Sequence, residues 1–264
     1  MTEGWALKLE YDGTRFIGWQ SQRNESEAGG RSVQSVLEAA CARLNAGLPV
    51  ASIAAGRTDS GVHAEAQAAW VGLPDHFSPD TLREGLNFHM KPYPVVVLCA
   101  VPAPPGWSPR FSAVGRAYRY RILNRRARPT LLLDRAWHVR LPLDAAAMRQ
   151  AAQPLLGTHD FTSFRATACQ AKSPVRTLDR LTVECDGDLI EIIVEARSFL
   201  HHQVRNIVGS LKLVGEGKWP VTRVDQALAA CDRRAGGPTA PPEGLTLVQV
   251  RYETDPFAGL AVIL

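Results

Sequence analysis

The order of hydrophobic patterns along residues 5–101 is the feature that most constrains the fold. Residues 5–11 alternate between apolar and polar side chains, which is typical of a half-buried strand. Ser32 and Ser78 can each cap a helix, and Pro79 suits a first helical position. The full pattern predicts strands at residues 5–11, 50–55, 66–73 and 95–101 and helices at residues 33–44 and 79–89. This βαββαβ order is that of a ferredoxin-like half.

A similar order follows a proline-rich stretch at residues 101–109, which can continue neither a helix interior nor a central strand. Strands are predicted at residues 115–123, 176–185, 189–196 and 245–252, and helices at residues 144–155, 199–214 and 222–231. We therefore expect an α/β (α+β) protein with two ferredoxin-like halves, residues 1–104 and 105–264. A central cleft is expected where the two sheets meet.

Several features bear on the class of protein and its compartment. The longest apolar run, residues 95–101, is too short to cross a bilayer. The five cysteines form no C-x-x-C pair, and the first residues lack the pattern of a secretory signal. Residues 22–31 are polar and contain glycine, which predicts a loop. We expect a cytoplasmic protein with reduced thiols and no membrane partner.

The distribution of charge points to a nucleic acid. Residues 85–133 contain no Asp or Glu but eight Lys and Arg, and Tyr118 and Tyr120 are interleaved with the arginines of residues 116–121. Guanidinium groups meet phosphates, and aromatic rings stack on unpaired bases. A solvated basic surface is the alternative interpretation of such a run.

Residues 56–64, GRTDSGVHA, place Asp59 between glycines in a loop that joins two predicted strands. Such a carboxylate has close backbone access to a ligand and can act as nucleophile or base. Arg57, two residues earlier, could keep Asp59 ionised. On residue types alone, an ordinary turn with a surface arginine is the commoner interpretation.

Six segments together resemble one family. Residues 56–64 are similar to the G-R-T-D-x-G-V-H signature of the tRNA pseudouridine synthase A family. Five further segments match that family in order along nearly the whole chain: YDGTRFIGWQ at 11–20, SVQ at 32–34, RFSA and RAYRY at 110–120, GTHDFTSFR at 157–165 and FLHHQVRNIVG at 199–209.

The resemblance implies the pseudouridine synthase fold and isomerisation of uridine in the tRNA anticodon stem-loop, at positions 38, 39 and 40. It implies that Asp59 is the nucleophile, that Tyr118 bounds the target uracil and that Arg205 pairs with the catalytic carboxylate. Arg57 would orient the loop or hold the RNA backbone. It also implies a homodimer that holds tRNA. The reaction has no net redox change and adds no group, so no cofactor and no metal is expected.

Two positions depart from the family pattern: Ser60 stands where alanine is usual, and Gln203 stands where methionine is common. Residues 25–30 resemble a loop insertion. His201 and His202 suggest zinc only weakly, because adjacent residues on a helix point about 100° apart. Two alternatives to a synthase stay open, an RNA-binding protein without catalysis and a metal-dependent hydrolase that uses Asp59.

Overall fold

A computed structural model describes residues 4–22, 25 and 30–259 of the 264-residue chain. The chain divides into two compact units, residues 1–114 with 247–264 and residues 115–246. This division differs from the predicted boundary between residues 104 and 105 in two ways. The first unit ends later, at residue 114, inside a strand. Most of the last strand also belongs to the first unit. The predicted loop at residues 22–31 falls largely outside the described residues.

The first unit has the predicted βαββαβ order. Its elements are β1 (Trp5–Tyr11), α1 (Val33–Leu44), β2 (Ser52–Ala54), β3 (His63–Val71), α2 (Pro79–Met90) and β4 (Val95–Pro102). β1 lies between β4 and β3, β2 also pairs with β3, and all three pairings are antiparallel. The side chains of Ser32 and Ser78 accept hydrogen bonds from backbone N–H groups of the first helical turns, so both predicted caps are confirmed.

The second unit contains elements that the sequence patterns did not predict. Its elements are β5 (Ala113–Asn124), β6 (Trp137–Val139), α3 (Ala145–Ala152), β7 (Gly157–Asp160), β8 (Val175–Asp186), β9 (Leu189–Ala196), α4 (Gln203–Gly215) and α5 (Arg223–Ala229), and β10 (Leu245–Tyr252) follows. The antiparallel order is β5-β9-β8-β7, and β6 pairs in parallel with β5. The mixed α/β class is confirmed, with β6 and β7 as additions.

Apolar side chains along alternate positions build the core of each unit. In the first unit, Leu7 and Leu9 of β1 are fully buried together with Leu37 of α1 and Leu86 of α2. In the second, Ile190, Ile192 and Val194 of β9 are buried while the intervening residues are half-buried. None of the helices described is both long and apolar enough to cross a membrane.

Candidate active site

Asp59 lies at the start of a tight turn in the loop between β2 and β3. The N–H of Val62 donates to the carbonyl oxygen of Asp59 at 3.1 Å, and Gly61 has φ = 79°, which favours glycine. The side chain of Asp59 is half-buried, whereas its neighbour Thr58 is buried. The turn therefore fixes the backbone of Asp59, a residue that is half-buried.

The segment of residues 11–20 holds this loop in place. The N–H of Trp19 donates to the carbonyl oxygen of Thr58 at 3.0 Å, and that of Gly61 donates to the carbonyl oxygen of Phe16 at 3.3 Å. Gly18 has φ = 108°, and a Cβ at this position would meet the carbonyl oxygen of Thr58 at 2.8 Å. Two segments that the sequence presents separately are thus one structural unit.

A buried polar network anchors the other side of the loop. The Tyr11 hydroxyl and Thr58 Oγ1 are 2.8 Å apart, and Gln67 Nε2 donates to the Tyr11 oxygen at 3.4 Å and to the carbonyl oxygen of Gly56 at 2.8 Å. Burial raises the pKa of Tyr11 to about 12, against the opposing effect of its hydrogen bonds with Thr58 and Gln67. The hydroxyl is therefore neutral at physiological pH and can both donate and accept.

His63, at the start of β3, faces the same supporting segment. Its Nδ1 accepts from the N–H of Gly13 at 3.0 Å and lies 3.2 Å from Asp12 Oδ1. The side chain is buried, which fits a structural role.

Arg57 does not pair with Asp59. It is exposed, and it makes no hydrogen bond or ion pair with any residue in the described part of the chain. Arg57 is thus open to solvent and to a ligand.

The aromatic and basic residues of β5 point to opposite faces, because side chains alternate along a strand. Arg116, Tyr118 and Tyr120 share one face, opposite buried residues of β9, while Arg119 and Arg121 lie on the other. Tyr120 is fully buried, and its hydroxyl donates to the carbonyl oxygen of Pro241 at 2.8 Å. Tyr120 is therefore not available to stack on a base, whereas Arg119 and Arg121 lie on the face opposite Tyr118.

Carboxylates of β9 and its turn compensate part of the basic charge. Arg121 Nε donates to Glu191 Oε1 at 2.8 Å, and Arg119 Nε lies 3.7 Å from the same oxygen. Arg125 lies 3.7 Å from Asp188. A run without acidic residues in sequence thus meets acidic partners from about 70 residues further along the chain.

Tyr118 is half-buried, and its ring packs edge to face against Phe199 with centroids 5.2 Å apart. This contact limits the rotation of the ring. On the same face, Arg116 is nearly buried and donates to the carbonyl oxygen of Arg197 at 2.6 Å.

Helix α4 begins at Gln203, four residues later than predicted, and His202 precedes it with φ = 61°. The rings of His201 and His202 therefore do not diverge by 100°, as the helical prediction required; their centroids are 4.0 Å apart. Arg205 lies in the first turn of α4. Its Nε donates to the carbonyl oxygen of Ala240 at 2.8 Å, and the N–H of Ala240 donates back to the carbonyl oxygen of Arg205 at 3.0 Å.

Comparison with known proteins decides the family. The model of a family described as tRNA pseudouridine synthase matches residues 8–112 and 151–253. A protein of Acidiphilium cryptum named tRNA pseudouridine synthase A is 64% identical over 254 residues, which cover 96% of this chain and 98% of that protein. The chain belongs to the tRNA pseudouridine synthase family. Proteins of the same name from Gluconobacter oxydans and Paramagnetospirillum magneticum are 52% and 56% identical, covering 96% and 93% of this chain and 91% and 94% of those proteins.

Membership of the tRNA pseudouridine synthase family, whose enzymes are isomerases, confirms the resemblance seen in the sequence. The structure shows what Ser60 and Gln203, the two departures from the family pattern, contact. The Ser60 hydroxyl donates to the carbonyl oxygen of Phe16 at 3.2 Å and so adds a tie between the loop and its support. Gln203 is buried, and its Oε1 accepts from the N–H of Leu200 at 2.8 Å, which holds the turn before α4.

Sequence reasoning missed the network that positions α4 of this synthase. Asn206 is fully buried; its Nδ2 donates to the carbonyl oxygen of Phe164 at 2.9 Å, and its Oδ1 accepts from Thr239 at 2.6 Å and from Arg233 at 3.1 Å. The only sequence signal was an amide inside an apolar helical stripe, which calls for hydrogen-bond partners when buried. Asn206 fixes the helix one residue after Arg205.

Proposed function

We propose that this tRNA pseudouridine synthase isomerises uridine at positions 38, 39 and 40 of the tRNA anticodon stem-loop and that Asp59 is the nucleophile. The observation that carries the proposal is the Asp59 turn. It holds a half-buried aspartate on a backbone fixed by residues 11–20 on one side and by the Tyr11 network on the other. A nucleophile held in this way loses little freedom when it reacts.

The chemistry suits a single carboxylate. Isomerisation breaks the bond between the ribose and uracil N1 and forms a bond between the ribose and uracil C5, so the proton on C5 is lost and N1 gains one. Attack by Asp59 on the ribose or on the base gives a covalent intermediate that divides this exchange into two easier steps. No electron is gained or lost overall.

The other site residues are assigned supporting roles in the proposal. Tyr118, whose ring is braced by Phe199, bounds the target uracil. Arg205 pairs with the catalytic carboxylate, and its Nε contact with Ala240 sets the direction of its guanidinium group. Arg57, exposed beside Asp59, holds the RNA backbone. The target base must leave its stack, which costs a few kcal/mol, and contacts of this kind offset that cost.

The test is release of tritium from tRNA labelled with 5-tritiated uridine, without added metal or cofactor. We expect release by the wild type and none by Asp59→Asn, which keeps the shape of the side chain but removes its charge. Asp75→Asn is the matched control, because Asp75 is an exposed acid in the same unit. Substantial release by Asp59→Asn would remove Asp59 from the nucleophile role.

The position of reaction is tested separately, with transcripts that carry uridine at only one of positions 38, 39 and 40. Tritium release from a transcript that has no uridine at any of positions 38, 39 and 40 would refute the proposed position of reaction but not the synthase activity. Binding without release on every transcript would favour the alternative, a non-catalytic RNA-binding protein.

The proposal includes a homodimer in the cytoplasm that binds tRNA through both chains. A dimer mass in light scattering supports this arrangement, and a monomer mass under conditions of full activity contradicts it.

A further inference from the structure

A basic groove runs along α1 and the end of α2 in the first unit. Its cavity is about 430 Å³, and the residues that define it here are Arg31, Arg43, Phe88, Lys91 and Tyr93. Among the described residues, no Asp or Glu lines it. Arg43 and Lys91 thus bring two permanent positive charges to one concave surface, beside Arg31.

The acidic residues of the two helices are engaged elsewhere. Glu38 of α1 accepts hydrogen bonds from the backbone and hydroxyl of Ser52. Asp80 and Glu84 of α2 both pair with Arg83. By contrast, Arg43 and Lys91 are exposed and make no ion pair with a residue that the structure describes. Such a cluster of cations attracts a polyanion.

Two aromatic rings complete the groove. Phe88 is 69% exposed, so its ring is open to a ligand. The guanidinium group of Arg31 lies over the Tyr93 ring, 5.7 Å from its centroid. Cations that follow a phosphate backbone, together with an open ring on which a base can stack, are the recognition elements for unpaired RNA.

The groove is continuous with the support of the Asp59 loop. The Tyr93 ring packs on Phe16 with centroids 6.4 Å apart, and the N–H of Ile17 donates to the carbonyl oxygen of Arg31 at 3.1 Å. Phe16 in turn accepts hydrogen bonds from Ser60 and Gly61. Arg31 and Tyr93 of the groove are thus in direct contact with the segment that supports the Asp59 loop.

We infer that this groove is a second RNA-binding surface, away from the target nucleotide. Arg43 and Lys91 each bind one phosphate there, and one unpaired base stacks on Phe88. The inference rests on the proposed function only in taking tRNA as the RNA. An acidic protein surface is the other occupant that the charges would fit.

The test measures the dissociation constant of a tRNA transcript as a function of salt for the full chain. We expect Arg43→Gln with Lys91→Gln to reduce the slope of log K against log salt by about 1.4 to 1.8 and to weaken binding roughly 25- to 60-fold at 0.1 M salt, one phosphate for each residue. Arg83→Gln with Arg234→Gln removes the same charge from two arginines already paired with carboxylates and is the control. Equal losses of tRNA affinity in both double variants would mean that only the total charge matters, not the groove. No loss of affinity in the groove variant would mean that the groove binds another partner, such as an acidic protein surface. Either result overturns the inference.

The stacking part is tested by Phe88→Ala and Phe88→Tyr. We expect Phe88→Ala to weaken binding about 5- to 160-fold without a change in salt slope, and Phe88→Tyr to keep the wild-type affinity. Unchanged affinity in Phe88→Ala refutes this part. All readouts are of binding, so a wild type that binds but makes no pseudouridine would refute the proposed function and leave the groove standing.

Discussion

Substitution of Gly18 tests whether residues 11–20 set the position of the Asp59 loop. Gly18 has φ = 108°, and an added Cβ would lie 2.8 Å from the carbonyl oxygen of Thr58 and 3.2 Å from the carbonyl carbon of Asp59. Gly47, in the turn after α1, has φ = 83° but no atom within 4 Å of an added Cβ. The two glycines therefore differ mainly in whether a methyl group meets the loop.

The expected cost follows from these contacts. Gly47→Ala introduces only backbone strain, about 1 to 3 kcal/mol. Gly18→Ala adds the displacement of Thr58, whose carbonyl oxygen already accepts from Trp19 at 3.0 Å. Loss of that hydrogen bond adds about 0.5 to 1.5 kcal/mol, which brings the total to about 1.5 to 4.5 kcal/mol. The loop must also move by several tenths of an ångström.

Activity separates the two variants more sharply than stability. Because a misplacement of about 1 Å at a reacting group can lower the rate about a hundredfold, we expect kcat of Gly18→Ala to fall at least about tenfold. Gly47→Ala should keep the wild-type kcat at a temperature where both variants are folded. Urea unfolding and tritium release on the same preparations measure both quantities. Equal kcat values for the two variants would refute the idea that this segment positions Asp59.

Two further predictions concern buried polar groups. Tyr11→Phe should lower the free energy of unfolding at pH 7 by about 1 to 2 kcal/mol, because Thr58 and Gln67 lose a partner. The pKa of Tyr11 is raised from 10.0 to about 12, so between pH 10 and 12 the unfolded tyrosine ionises before the folded one. The free energy of unfolding of the wild type should therefore fall by up to about 2 to 3 kcal/mol over that pH range. In urea titrations, Tyr11→Phe should lose less over the same range. Asn206→Leu should cost about 2 to 4 kcal/mol in urea unfolding, because it leaves the carbonyl oxygen of Phe164 without its donor; a cost below 1 kcal/mol would contradict the network.

Local patterns predicted the elements whose signals are local. The caps at Ser32 and Ser78 lie one residue before the helices they begin, and β1 matches its alternation from Trp5 to Tyr11. The strands β6 and β7 have three and four residues, too few for a period to be recognised. The start of α4 was predicted too early, because the apolar stripe continues through Phe199 and Leu200 although His202 takes a left-handed conformation.

The candidate site likewise combines local features, which the sequence could predict, with contacts between distant residues, which it could not. Asp59 stood out because it lies in a segment with a family resemblance, and its turn chemistry is local. The support of that turn is not local: Tyr11 and Thr58 are 47 residues apart, and Gln67 is 56 residues from Tyr11. No spacing rule in a single sequence identifies such partners, so only the structure shows why the YDG and GRTD segments occur together.

The face of a strand decides which of its residues can serve one function, and sequence interleaving conceals it. In β5, Tyr118 shares a face with Tyr120, but only Tyr118 keeps part of its ring accessible. Arg119 and Arg121 lie on the opposite face, and both pair with Glu191. The basic run that first suggested RNA therefore contributes less free charge than its composition indicates. Arg43 and Lys91 of the groove beside α1, which are separated in sequence, become the stronger argument for a second contact with RNA, because they share one surface that no Asp or Glu of the described residues lines.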